Sequence, residues 1–305
     1  MKKVLDGILE GLLTRYKQRV PDVSVICNAL VKHGFIGSLS DIENDHIAFR
    51  TMGVPHLGIQ SLEKIFLHCG YEKRDFYRFE QKKLNAYWFS PPEDHYPRIF
   101  ISELCVNELS KPAQSIIKSY TDEVTSDPVI ALNLDNVAEV DGFLHQPLWR
   151  TPTWNDYKTL LDESEYAAWV IYNRYYLNHF TIAVHRLPAP CNTIAGFNTF
   201  AQNCGLILND SGGAIKTSPD GLLIQSATIA QKVEAEFSDG KGGTETHTIA
   251  GSYVEFAQRE VLEAFKHLPP DQLTRKHRRE GFEASNADKI FESTFTHQIN
   301  KNNDA

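Results

Sequence analysis

Little in this chain of 305 residues suggests chemistry carried by thiols, nucleotides or nucleic acid. Its five cysteines, Cys27, Cys69, Cys105, Cys191 and Cys204, are odd in number and scattered. None forms a C-x-x-C pair of the kind used for zinc or redox work, so reduced, mostly buried thiols are expected. No apolar run approaches the roughly 18 residues of a membrane span. Two lysines and some apolar residues open the chain, but Asp6, Glu10 and Arg15 interrupt any signal-peptide core. A formal net charge of −8 argues against a nucleic-acid surface. Ser211-Gly212-Gly213 and the glycines of residues 240–243 lack the Lys-Ser/Thr ending and strand-to-helix setting of a phosphate loop, and read as turns. There is no Gly-x-Ser-x-Gly elbow either. These absences leave a cytoplasmic enzyme with small-molecule partners, and neither nucleic acid nor membrane, as the simplest expectation.

What is present is an ordinary globular composition, 42% hydrophobic, with a repeated order of elements. Leu5, Ile8, Leu9, Leu12 and Leu13 recur at helical spacing over residues 4–18, and Val23, Ile26, Cys27, Leu30 and Val31 do so over residues 23–32. Alternation over residues 44–50 predicts a strand. A helix capped by Ser61 and running to Cys69 follows, then extended runs over residues 71–79, 84–89 and 99–106. From residue 177 the order returns: a strand over 178–187, a helix over 193–204, and short extended pieces at 206–208 and 214–217. Two long strands over 221–233 and 247–257 follow, with Gly240, Gly242 and Gly243 turning between them. The reading is an α+β fold of two βαβββ modules, 1–110 with N-terminal helices and 177–268, enclosing one half-barrel pocket. A helical and irregular insertion, 111–176, carries the aromatic residues Trp149, Trp154 and Tyr157, and 269–305 forms a tail with a late helix. The whole is expected to be one compact catalytic unit. The charged run of residues 276–280 reads as a solvated face and residues 300–305 as frayed.

Each module offers a histidine on its first strand and a glutamate on its last. His46 and Arg50 share a face of the 44–50 strand, because side chains switch sides at every residue. His179 holds the matching position in the second module. Glu255 shares a face with Tyr253, and the first module supplies Glu103 on its last strand. A carboxylate among apolar neighbours such as Val254 and Phe256 costs several kcal/mol unless paired or metal-bound. Two imidazoles and one carboxylate on one face of an octahedral metal leave three positions open for a chelating substrate and O₂, the pattern of non-haem Fe(II) sites. His46, His179 and Glu255 are therefore the expected ligands, with Glu103 the rival to Glu255 or, like Tyr253, a residue orienting a ligand. Gln225 is a further pocket candidate. His185 reads as the outer end of its strand, while His56, His68, His95 and His145 show no partner pattern.

The segments DHIAFR around His46, NHFT at His179, YVEFAQR at Glu255 and the late RREGFEASNADKIFEST resemble the 2-oxoadipate dioxygenase/decarboxylases. These are iron enzymes of the vicinal-oxygen-chelate type that form D-2-hydroxyglutarate in lysine breakdown. The resemblance implies that His46, His179 and Glu255 hold Fe(II) and that Arg50 binds a substrate carboxylate. It also implies that a 2-oxo acid chelates the metal through its carboxylate and keto oxygens, with His46 and His179 also at the substrate site, is oxidatively decarboxylated and is then hydroxylated in the same pocket. Arg279, Phe282 or their neighbours are expected to close that pocket. Two other readings stay open on the residues alone. One is a glyoxalase-like metal-dependent isomerase or lyase with Glu103 or Glu255 as base; the other is a metal-free small-ligand binder on the same fold.

Overall fold

The computed structural model describes residues 2–303. Leu5, Ile8, Leu9 and Leu12 are buried along one side of α1 (Lys2–Arg19). Val23, Ile26, Cys27 and Leu30 are buried along α2 (Pro21–Lys32), where Pro21 takes a first-turn position that needs no N–H partner. The first module is β1 (Asn44–Met52), α3 (Ile59–His68), β2 (Glu72–Phe79), β3 (Leu84–Ser90) and β4 (Arg98–Leu104). The insertion folds as α4 (Lys111–Thr121), α5 (Val137–His145), α6 (Trp154–Glu163) and α7 (Glu165–Asn173). The second module is β5 (His179–Ala183), α8 (Ile194–Asn203), β6 (Lys216–Thr217), β7 (Leu223–Ala227), β8 (Lys232–Ser238), β9 (Thr244–Ala250) and β10 (Tyr253–Arg259). Two short helices, α9 (Ala284–Phe291) and α10 (Thr296–Ile299), follow.

Eight strands form one curled sheet in the order β2-β3-β4-β1-β5-β10-β7-β6, so the modules join edge to edge at β1 and β5. That seam is antiparallel and sets Ala48 opposite His179 and His46 opposite Thr181. On either side of it the pairing is parallel, β1 with β4 and β5 with β10. Residues paired across strands project to the same side, so the seam collects His46, His179 and Glu255 on one concave face. The convex face is closed by helices: Phe49 packs on Phe66 of α3 and Phe256 on Phe197 of α8. With the concave face also covered, every residue of β1 after Asn44 is buried.

Several sequence expectations shift. Ser61 lies inside α3, behind an N-cap at Gly58, and its hydroxyl bonds to Asp127. The strand expected over residues 178–187 ends at Ala183, where Val184–Arg186 turns as a 3-10 helix. The two long runs each break in two. Residues 228–231 lead out of the eight-stranded sheet, and β8 and β9 pair as a separate hairpin before Gly251 returns the chain to β10. Trp154 stacks between Tyr157 and His247, so two residues of the expected aromatic cluster dock this hairpin on the insertion, while Trp149 donates to the Ile171 carbonyl. The run expected to be a solvated face is tied down in part, through Glu280 bound to Arg98. Of the stretch expected to fray, Asn300–Asn303 form a 3-10 helix and residues 304–305 lie outside the described residues.

Candidate metal centre

His46, His179 and Glu255 meet at the seam. The Nε2 atoms of the two imidazoles are 3.3 Å apart. Glu255 places one oxygen 3.4 Å from His46 and the other 3.1 Å from His179. One ligand atom from each of the three lies within 4.8 Å of the others, and all three residues are buried. Among the described residues no other His, Cys, Asp and Glu group makes such a cluster.

The hydrogen bonds behind the rings settle which nitrogens face inward. An ionised carboxylate only accepts, so His46 donates its Nδ1–H to Asp45 at 2.8 Å. His179 donates its Nδ1–H to the Asn178 amide oxygen at 3.1 Å. Both Nε2 atoms therefore turn lone pairs toward each other and toward a carboxylate, an arrangement that repels unless a cation or a proton lies between them. Burial opposes charge on His46, but Glu255 and Asp45 outweigh it and raise its pKa. Burial, with the positive charge of His46 and Arg50 nearby, drives His179 well below the usual imidazole range. Burial likewise opposes charge on Asp45, yet Arg259 and Arg98 overcome it and hold the carboxyl well below the usual range. The donor set fits a divalent metal of the two-histidine, one-carboxylate kind, with His46, His179 and Glu255 to hold it.

The cavity in front of these donors measures about 20 Å³, room for a single water. Phe100, Phe282, Ala287, Ile290 and Phe291 wall it with apolar surface, and the Phe282 ring stands edge-on to His46 at 4.7 Å. Phe282 thus lines the cavity. Arg279 is not among the lining residues, and its side chain bonds to Asp220 and to the carbonyls of Glu280 and Phe282.

Arg50 projects to the same face as His46 but beyond the cavity, 1% exposed. Its Nη atoms donate to Thr294 Oγ1 at 2.9 Å and to the Phe291 carbonyl at 3.0 Å. Tyr166 and Trp169, both on α7, lie 5.2 Å from its guanidinium carbon and Phe291 lies 5.5 Å away. Its guanidinium also interacts with the Tyr253 hydroxyl, and among the described residues no carboxylate forms an ion pair with Arg50. Burial accordingly lowers its pKa. Tyr253 lines the cavity with its ring 4.9 Å from that of His179, and its buried hydroxyl faces the Arg50 guanidinium.

Gln225 reaches the cavity, yet its amide is committed. It donates to Glu255 at 2.6 Å and accepts from Asn286 at 3.0 Å, so it orients the carboxylate. Glu103 is not at the site. It pairs with Thr51, whose side lies opposite that of His46 and Arg50, and its carboxylate accepts from the Ile59 N–H at the start of α3. The register makes Phe100 the counterpart of Glu255 in the first module, because Ala48 faces Phe100 as Thr181 faces Glu255. His185 sits in the turn after β5 and accepts from the Arg259 backbone N–H at 3.3 Å. Asp45, Asn178, Thr294 and Phe291 escaped the sequence reading. The first two stood beside the chosen histidines as the pairs Asp-His and Asn-His, the available signal; the last two approach only through tertiary packing.

A family model described as 2-oxoadipate dioxygenase/decarboxylase matches residues 8–268. The chloroplastic/amyloplastic 2-oxoadipate dioxygenase/decarboxylase of Oryza sativa subsp. japonica is 46% identical over 267 residues, spanning 84% of this chain and 70% of the relative. Hydroxyglutarate synthase from Oryza sativa, solved in complex with 2-oxoadipate, superposes with a TM-score of 0.86 at 42% identity, covering 96% of this chain and 92% of that one. A glyoxalase superfamily protein from Ralstonia eutropha JMP134 has the same fold, with a TM-score of 0.70 at 21% identity over 91% of this chain and 85% of that one.

Proposed function

We infer that this chain, because it belongs to the 2-oxoadipate dioxygenase/decarboxylase family, converts 2-oxoadipate and O₂ to 2-hydroxyglutarate and CO₂. In this reading Fe(II) is held by His46, His179 and Glu255. The observation that carries it is the convergence of one ligand atom each from two imidazoles and a carboxylate within 4.8 Å, on the same sheet face as a buried arginine that has no carboxylate partner among the described residues. Fe(II), when bound, supplies open coordination positions and the electrons that let O₂ react with a chelating 2-oxo acid.

The chain supplies orientation and exclusion of water. Asp45 and Asn178 fix the ring tautomers and Gln225 fixes the carboxylate. The 2-oxo and adjoining carboxylate oxygens of the substrate belong at the metal end, beside His46 and His179. Its distal carboxylate belongs with Arg50, which Phe291 and Thr294 hold in a single orientation. Those two anchors lie on one strand face, four residues apart, and so set the length of acid that spans them. The reaction balances with O₂ as oxidant: the bond from the 2-oxo carbon to its carboxylate breaks and CO₂ leaves, one oxygen atom makes the former 2-oxo carbon a carboxylate, and the other is inserted into a C–H bond of the adjacent carbon as the hydroxyl. The apolar wall keeps water from quenching that sequence.

Oxygen uptake by anaerobically Fe(II)-loaded protein tests the reading. Uptake with 2-oxoadipate, matched by CO₂ and 2-hydroxyglutarate and weaker with 2-oxoglutarate or a 2-oxo monocarboxylic acid, is expected. No uptake with any of the three acids at full iron occupancy overturns it.

A further inference from the structure

The two modules differ in what stands behind their histidines, a charged residue in one and a neutral residue in the other. Asn178 offers His179 a neutral amide, and its own Nδ2 has no partner. Asp45 offers His46 a carboxylate that is 3% exposed and bonded on every side. One oxygen accepts from His46 at 2.8 Å and from Arg259 Nη2 at 2.9 Å. The other accepts from Arg259 Nε at 2.7 Å and from Arg98 at 3.2 Å. Arg259 sits on the strand that carries Glu255, four residues on, and grips Asp45 with a planar fork.

The same two arginines hold the segment of residues 275–282. Arg259 Nη1 donates to the carbonyls of Arg279 at 3.0 Å and Gly281 at 2.7 Å. Arg98 Nε donates to Glu280 at 2.9 Å. Gly281 turns at φ 71°, a region that favours glycine, and the next residue is Phe282, whose ring stands 4.7 Å from His46. A closed loop of contacts therefore runs from His46 through Asp45, Arg259 and Gly281 to Phe282 and back to the His46 ring. We propose that Asp45 is a positioning residue that couples metal binding at His46 to closure of the 275–282 segment over the pocket. This rests on the reading of His46, His179 and Glu255 as ligands.

The coupling has a physical basis. Carboxylates behind ligand imidazoles fix the tautomer and ring angle and strengthen the donor, and their loss costs about 10- to 100-fold in metal affinity. Here the carboxylate is itself fixed by groups that hold the closing segment, so an ordered segment favours metal and bound metal favours an ordered segment, by the same factor.

Asp45→Asn tests this, since it keeps the side-chain volume and can accept from His46 as Asn178 does for His179. Two measurements are made, Co(II) affinity by chelator competition and hydrogen exchange of the 275–282 amides with and without Co(II). The wild type is expected to bind the metal and to slow exchange in that segment. Asp45→Asn is expected to bind it about 10- to 100-fold more weakly and to lose the metal-dependent slowing. Arg259→Lys, which keeps a charge but not the fork, is expected to lose the slowing as well, and it keeps the test decisive if Asp45→Asn does not fold. Exchange in the wild type that ignores the metal overturns the proposal without a variant, as does an Asp45→Asn affinity within about twofold of wild type. A wild type that binds no metal overturns instead the ligand reading on which it stands.

Discussion

Removing one donor at a time separates the roles of the site residues. His179→Ala takes away an imidazole whose nitrogen lies 3.1 Å from Glu255, and the folded variant is expected to retain only traces of metal by elemental analysis. Arg50→Lys keeps a charge but not the five-donor fork. Losing a charge-assisted hydrogen bond is worth about 1.5–3 kcal/mol. The KM for 2-oxoadipate is therefore expected to rise roughly tenfold to a hundredfold, with metal content unchanged. His185 makes a separate prediction about acid. Burial lowers its pKa to about 3, whereas an unfolded histidine titrates near 6.5. Between those values the unfolded chain binds the extra proton, so stability falls as pH drops through that window, by up to about 1.4 kcal/mol per pH unit. In urea titrations at pH 4–7, His185→Gln should show a shallower loss than wild type.

Glu103 illustrates how an element can claim a residue that composition assigns to chemistry. Its carboxylate takes the Ile59 N–H at 2.9 Å and neutralises the start of α3. Gly58 just before it has φ 81°, and a Cβ there would stand 2.6 Å from the Glu103 oxygen. Glu103→Ala is expected to cost about 1 kcal/mol of stability in denaturant titrations and to leave bound metal unchanged. The strands that carry the candidate ligands were legible because alternation marks them and a histidine stands at the matching place in each module. Which glutamate faces the histidines was not, since that depends on the register of β4 on β1, and register leaves no trace in a single strand's alternation. The same limit hid the breaks after Ala227 and at Gly251: residues suited to a strand can pair with a different neighbour without any change of composition. The place of Arg50 on the face of His46 was legible, but the aromatic rings of Tyr166 and Trp169 beside it come from the insertion, about 120 residues downstream.

In the whole molecule the metal centre is where both modules and the C-terminal segment meet. A metal that binds only this folded arrangement stabilises it by about 2.7 kcal/mol at a free concentration a hundred times its Kd. Chelation is therefore expected to lower the melting temperature of the metal-loaded chain, and re-addition to restore it. The seam between β1 and β5 also bears on how the chain reaches this state. His46 and Glu255 are separated by most of the sequence, and no early segment holds more than one of the three donors. Closing so long a loop is slow relative to pairing within one module. As the chain emerges from a ribosome, the first module can pair its own strands while His46 still lacks both partners. The candidate metal site is thus among the last features to assemble, and a truncated or half-folded chain does not bring its three donors together.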